Sequence, residues 1–281
     1  MKLSPLTICL LLCSVFLIHV AATRAAEPTY IVARAPQLST LTLAETWGPL
    51  LARIKKDTGI NLELRVYHTR IQFQSEISAG MPDFAYLNAY DAIHARRLHN
   101  YTPLIRDAKP LKGIIVTRKD SALTSVQDLN GKSIVFPSPK AFGASLYPQA
   151  LLIHKEHIKF TPEYAGTHEN VYRGVFLGKF VAGGGVAGTF NLEPEELKSQ
   201  LRILYETPDL PSHPFIAHPR VPKEVVTRVA SALRNLTNDE EGRALLKAVN
   251  IETPVPADYA RDYQSLEGVD LGDSLTPTDT H

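Results

Sequence analysis

The chain has two cysteines, Cys9 and Cys13, and both lie within its first 25 residues. Beyond them no thiol remains, which excludes a disulfide framework and a thiolate metal site. An excess of charge of one sign is also lacking. Taking Lys2 and Arg24 from the 30 basic residues leaves 28 against 29 acidic ones, a net charge of −1 with neutral histidines. Dispersed charge near neutrality argues against nucleic acid as a partner. There is no internal repeat and no low-complexity block. Enzyme motifs are equally scarce. Gly143-Ala-Ser145-Leu-Tyr147 lacks the final glycine of a nucleophile elbow, and Gly174 to Lys179 has one residue too few between its glycines for a phosphate loop. No His-Glu-x-x-His occurs, and His154 and His157 lack converging carboxylates, so they read as a solvated helix face. No catalytic residue, metal site or cofactor is expected.

Residues 1–25 read as an export signal. Lys2 gives a short basic start, Leu6 to Val20 an apolar stretch, and Thr23-Arg24-Ala25 a small-x-small site before Ala26. Cleavage after Ala22 is the alternative. The apolar stretch is short for a membrane span, and Leu12 before Cys13 is too large for the usual lipid-attachment box. A soluble exported product is therefore expected over a lipoprotein. Its 256 residues (281 minus 25) suit one large domain or two lobes. Residues 267–281 are acidic, polar and poor in large apolar side chains, and read as a disordered tail.

Between these ends, strand and helix signals alternate. Residues 30–35 read as a buried strand; a helix follows with Leu43, Trp47, Leu50, Leu51 and Ile54 on one face and Gly59 after its end. Thr42 and Glu45 have capping-box spacing, and Pro49 predicts a kink or a late helix start. Further strands are expected over 61–67, 84–87, 101–106, 113–117, 133–136, 159–165, 180–187, 202–206 and 214–217. Helices are expected over 71–79, 90–98, 143–157, 167–178, 194–200, 222–236 and 239–249. Such alternation predicts an α/β fold with largely parallel sheets covered by helices on both faces. Gly183-Gly184-Gly185 inside one strand predicts a close approach to its backbone.

Ligands in such folds bind beyond the carboxyl ends of strands. One stretch stands out there: the 133–136 strand runs into Pro137-Ser138-Pro139-Lys140 and then a helix near Gly143. Unpartnered N–H groups and the helix dipole make that start an anion seat, to which Ser138 and Ser145 add hydroxyls and Lys140 a charge. The bland alternative is a tight turn with a solvated lysine. Four further groups have two readings each. Gln37, Ser39 and Thr40 form the first strand-to-helix loop, or merely cap the helix. Tyr86 and Asn88 end a strand, or simply pack. Thr167 and His168 open a helix towards the same edge, or only cap it. His213 and His218 flank a strand and have a weaker claim.

Taken in order, these segments resemble the type II periplasmic binding proteins, specifically the phosphate/phosphite/phosphonate-binding group of ABC importers. The resemblance covers about residues 30–263. It is carried by Trp47-Gly48-Pro49-Leu50, by Ala79-Gly80-Met81-Pro82-Asp83-Phe84-Ala85-Tyr86-Leu87 and by Val126 to Lys132. Ala144-Ser145-Leu146-Tyr147-Pro148 and Thr167-His168-Glu169-Asn170-Val171 complete it. Their order and spacing together carry the resemblance.

The resemblance implies two doubly wound lobes that close on a small ligand in the cleft between them. Lobe one would comprise 26–112 and 208–266, and lobe two 113–207. It implies an anionic, phosphate- or phosphonate-like ligand, a monomer in the periplasm and an ABC permease as partner. A membrane sensor kinase is the alternative partner, and an enzyme on the same fold a more distant alternative. The implied site comprises Gln37, Thr40, Tyr86, Asn88, Ser138, Lys140, Phe142, Ser145, Thr167 and His168. Two departures matter. The family's Ser-Thr-Ser run is replaced by Ala141, Phe142 and Gly143, so that Phe142 offers a ring for stacking. Val181 stands where the family tends to have an acid.

Overall fold

A computed structural model describes residues 28–36 and 40–268. The export signal and residues 269–281 of the expected tail lie outside them. Strands β1 (Thr29–Arg34), β2 (Asn61–Arg65) and β3 (Phe84–Tyr86) are parallel, connected through α1 (Thr40–Thr58) and α2 (Arg70–Ser78). Helix α3 (Ala89–His99) leads to β4 (Thr102–Asp107), and the chain then crosses to a second sheet at β5 (Gly113–Arg118). There β6 (Ser133–Phe136) is followed by α4, one helical run of a π-wide turn (Phe142–Leu146), an α turn (Tyr147–Ala150) and a second π-wide turn (Leu151–Lys155). Next come β7 (Thr161–Tyr164), α5 (His168–Phe176), β8 (Ala182–Val186), the short α6 (Ala187–Asn191) and α7 (Glu195–Lys198), and β9 (Leu201–Glu206). The chain returns to the first sheet with β10 (Phe215–Ala217), α8 (Lys223–Asn235), α9 (Glu240–Ala248) and β11 (Pro254–Pro256).

The strand orders are β11-β4-β10-β3-β1-β2 and β7-β6-β8-β5-β9. Both sheets are mixed, which corrects the expectation of largely parallel ones. β10 runs antiparallel to β3 and β4, and β5 antiparallel to β8 and β9, because the strands adjoining the crossings enter their sheets from the opposite side. β11 was not anticipated. Prolines at both ends hide it, and they are tolerated because β11 is an edge strand.

Each sheet is buried on both faces, as the period-2 alternation requires. On one face of the first sheet Val32, Phe84 and Phe215 pack with Leu43, Trp47, Leu50 and Ile54 of α1 and Val229 and Leu233 of α8. On the other, Ala33, Ala85 and Ile216 meet Phe73, Ile77 and Ala95. Leu50 and Ile54 have no exposed surface, and such burial contributes about 1.5–3 kcal/mol per side chain. The second sheet repeats the scheme, with Ile114, Val116 and Val135 on one face and Ile115, Ile134 and Phe136 on the other.

Two local expectations change and one feature is new. Helix α1 starts at Thr40 and continues through Pro49, which lies on its exposed side. Pro148 lies inside α4 just beyond a π-wide turn, whose closing bond runs from the Tyr147 N–H to the Phe142 carbonyl. Glu267, placed in the tail by composition, accepts a hydrogen bond from Arg97 at 2.9 Å.

Candidate functional site

The parallel strands fix where a site can form. β1, β2 and β3 end on one edge of the first sheet, where α2 and α3 start under the caps Thr69 and Asn88. β6 and β8 end on one edge of the second, where α4 and the Thr167-capped α5 start. The two crossings between the sheets lie side by side: Leu111 N–H donates to the Leu210 carbonyl at 2.8 Å, and Leu210 N–H to the Leu111 carbonyl at 2.7 Å. Lys140, from the loop after β6, donates to Gln74 Oε1 of α2 at 3.4 Å, so the two edges face each other.

The second-sheet wall is made of neutral donors and one cation. Ser138 and Lys140 are half-buried in the loop. Ser145 is wholly buried in the first turn of α4, and its Oγ has no hydrogen-bond partner among the described residues. A buried hydroxyl without a partner is costly. Thr167 accepts from Asn170 N–H at 3.1 Å, as a cap does. His168 follows; its Nδ1 lies 3.2 Å from Thr189 Oγ1, which lies 2.8 Å from the Tyr172 hydroxyl. Burial lowers the His168 pKa, favouring the neutral ring. The triple glycine explains how these helices come so close. A Cβ on Gly184 would collide with the Phe136 ring and the Ala144 carbonyl, and one on Gly185 with Tyr172. The expected close approach is therefore that of Phe136, α4 and α5.

Two positions singled out by the resemblance point elsewhere. Phe142 is 4 % exposed and packs with Leu146, Tyr147 and Leu210 against Ala89 and Ile93 of α3, forming an apolar bridge between the halves. Val181 precedes β8, at the opposite end from the edge where β6 and β8 finish. Its side chain says nothing about a ligand there.

The first-sheet wall is charged. Arg34, the last residue of β1, is 8 % exposed and holds its guanidinium 5.0 Å from the centroid of the Tyr86 ring. Tyr86 packs against Trp47, ring centroids 5.3 Å apart and tilted by 48°, and donates to the Asn250 carbonyl at 3.3 Å, so its ring is what it offers the edge. Arg70, the first residue of α2, donates to Asp91 Oδ2 at 2.8 Å. Asn88 is committed to the same carboxylate. It accepts from Asp91 N–H at 2.8 Å and donates to Asp91 Oδ2 at 3.0 Å. Burial raises the Asp91 pKa, and Arg70 opposes that rise. His213 keeps a little exposed surface, yet burial, Arg34 and Arg70 together push its pKa down to about 3. Thr40 is exposed in the first turn of α1, and Gln37 lies outside the described residues.

Thus Ser138, Lys140, Ser145, Thr167 and His168 share one edge, and Tyr86 and Asn88 occupy the facing one. Sequence reasoning passed over Arg34, Arg70 and Thr189, and gave His213 only a weak claim. A signal existed for Arg70, because a cation at the first helical position opposes the helix dipole. Arg34, a charge ending an apolar strand, was a second. Among the described residues no cluster of three metal-ligating side chains forms, and no helix is long and apolar enough to cross a membrane.

The model of a family described as the periplasmic substrate-binding protein of phosphonate ABC transporters matches residues 32–263. No curated protein matches the chain. Among solved structures, PhnD1 of Prochlorococcus marinus in complex with methylphosphonate is similar, at 16% identity and a TM-score of 0.72. The match covers 86% of this chain and 97% of that one. A binding component of an ABC phosphonate transporter from Pseudomonas aeruginosa gives 14% identity, a TM-score of 0.67 and coverage of 83% and 82%. A Xanthomonas citri protein bound to ATP gives 18%, 0.70, and 88% and 99%.

Proposed function

The chain belongs to the family of periplasmic phosphonate-binding proteins of ABC transporters, and we propose that it captures an oxyanion of phosphonate type between its two sheets. Members of this family are substrate-binding components and work in the periplasm beside an ABC transporter. The observation that carries the ligand reading is Ser145. Its hydroxyl is buried without a partner at a helix start, in the segment that also brings in Lys140. A tetrahedral oxyanion would accept from that hydroxyl, from free N–H groups of the first turn and from Lys140, while neutral His168 adds a ring nitrogen. The ligands named for two structurally similar proteins, methylphosphonate and ATP, both carry phosphorus oxyanions.

In this reading residues 26–112 and 208–266 form one lobe and 113–207 the other, hinged at the paired crossings. Ligand contacts from both edges favour the closed form. Residues 1–25 direct export, and the monomer hands its ligand to the permease without turning it over. Phe142 belongs to the lobe contact in this scheme and not to the ligand. Calorimetry on the exported protein with phosphate, phosphite and methylphosphonate tests the reading. Saturable binding without product, together with a more compact scattering profile, is expected. Failure of every oxyanion to bind would overturn it.

A further inference from the structure

The first-sheet edge carries more positive charge than one oxyanion head, already served by the second-sheet wall, requires. Arg34 and Arg70 end one strand and open one helix, and Arg70 adds to the lowering of the Arg34 pKa that burial begins. Each guanidinium stays charged in a protein. His213, on which burial and both arginines act, is held neutral. Asp91 takes one arm of the Arg70 fork, at 2.8 Å, while the Nε of Arg70 is buried without a hydrogen-bond partner among the described residues. Arginine grips carboxylates and phosphonates through such paired donors.

Among the described residues, the loop into α4 and the end of β8 carry no acid to receive an ammonium group, and the acids that act around α5 are Glu169 and Glu193, the latter on Tyr172. Between Pro137 and Ser145 the one ionisable residue is Lys140, and β8 runs out through Val186-Ala187-Gly188-Thr189. Glu169, at the start of α5, is paired with Arg173 at 2.8 Å. Asp107, which acts electrostatically on Tyr86, accepts from the N–H groups of Lys109 and Thr253.

We propose that Arg70, backed by Arg34, forms a second anion subsite on the first-sheet edge. The ligand is then a two-headed acid, a phosphonate bearing a carboxylate or a second acidic group and no ammonium. This rests on the oxyanion reading above. One head sits at the α4 start and the other meets the arginines, so that each lobe holds one end of the ligand.

The test compares three probes by calorimetry on the exported protein: methylphosphonate with one head, phosphonoacetate with two acidic heads, and 2-aminoethylphosphonate with an ammonium. Phosphonoacetate should bind about tenfold or more tightly than methylphosphonate, and 2-aminoethylphosphonate more weakly than either, since each charge-assisted bond changes affinity by that order. Arg70→Gln should bring the phosphonoacetate-to-methylphosphonate ratio close to one, whereas Ser145→Ala should weaken both and keep the ratio. Equal affinities for the three probes, or a ratio that survives Arg70→Gln, would overturn the inference while leaving the oxyanion reading intact. If no probe binds, both fall. The comparison of probes on the unmodified protein decides the matter even if Arg70→Gln fails to fold.

Discussion

The two facing edges are built from different chemistry. On the second sheet, glycines let Phe136, α4 and α5 pack close to β8, so small neutral donors and helix starts come together with Lys140 as the sole charge in its loop. On the first sheet the strand ends are spaced by larger side chains, and the wall is built from Arg34, Arg70, Asp91 and a tyrosine ring. A neutral wall selects geometry, because N–H and hydroxyl donors are directional. A charged wall selects net charge, and acts over a longer range when desolvated. In the proposed reading, recognition of the oxyanion head falls to the second-sheet edge and charge selection to the first.

The largest expected effect falls on the neutral wall. Ser145→Ala should weaken methylphosphonate binding by about 1.5–3 kcal/mol, roughly ten- to hundredfold, if the hydroxyl donates to the anion. Thermal stability should hold or rise slightly, since an unpartnered buried polar atom is removed. A drop in stability with affinity intact would make Ser145 a structural residue.

Gly185→Ala probes how that wall is assembled. Its Cβ would run into Tyr172, and such overpacking costs about 1–3 kcal/mol. Chemical denaturation should show the loss. Unchanged stability would mean that Tyr172 can move aside, and that the close packing is not what brings His168 to the edge.

The charged wall should report itself through pH. His213 has a folded-state pKa of about 3, against an ordinary value near 6.5. Below pH 6.5 the unfolded chain takes up a proton that the folded chain refuses, so stability falls as pH drops through that window. With Arg34 and Arg70 acting on the ring and Tyr86 packed edge-on to it, a loss of about 1 kcal/mol between pH 6.5 and 5.5 is expected. His213→Gln should remove that component. A bound anion should lessen it by favouring the protonated ring.

Gly48 gives the smallest effect and the opposite sign. It sits in α1 with nothing within 4 Å of where a Cβ would project. Gly48→Ala should stabilise by about 0.5–1 kcal/mol, measured by the same denaturation. A loss there would show that α1 does not tolerate a side chain at this open position.

Much of the fold was legible because it rests on local pattern. The apolar runs of β1, β5 and β6 and the Leu43-Trp47-Leu50-Ile54 stripe announce themselves by periodicity. The direction of β10, set by the crossing it follows, is a tertiary fact and was not legible. Prolines masked β11, and the π-wide turns within α4, a helix expected over 143–157, are ones no propensity predicts. At the candidate site, helix-start chemistry pointed to Ser138, Lys140, Ser145 and His168, which the fold brings to one edge. Arg34, Arg70 and Asp91 belong to three separate elements, and only the parallel register of β1 with β2 and β3 brings their edges together. Phe142 shows the converse. Its neighbours in sequence suggested a ligand contact, and its neighbours in space are the apolar residues of α3.

One titration tests the central claim most directly. Methylphosphonate and its neutral dimethyl ester share a tetrahedral phosphorus centre and differ in charge. Calorimetry on the exported protein should show saturable binding of the acid and none of the ester, because the donors at the α4 start and Lys140 act on negative oxygens. Equal binding of the two, or binding of the ester alone, would contradict an oxyanion site at this edge.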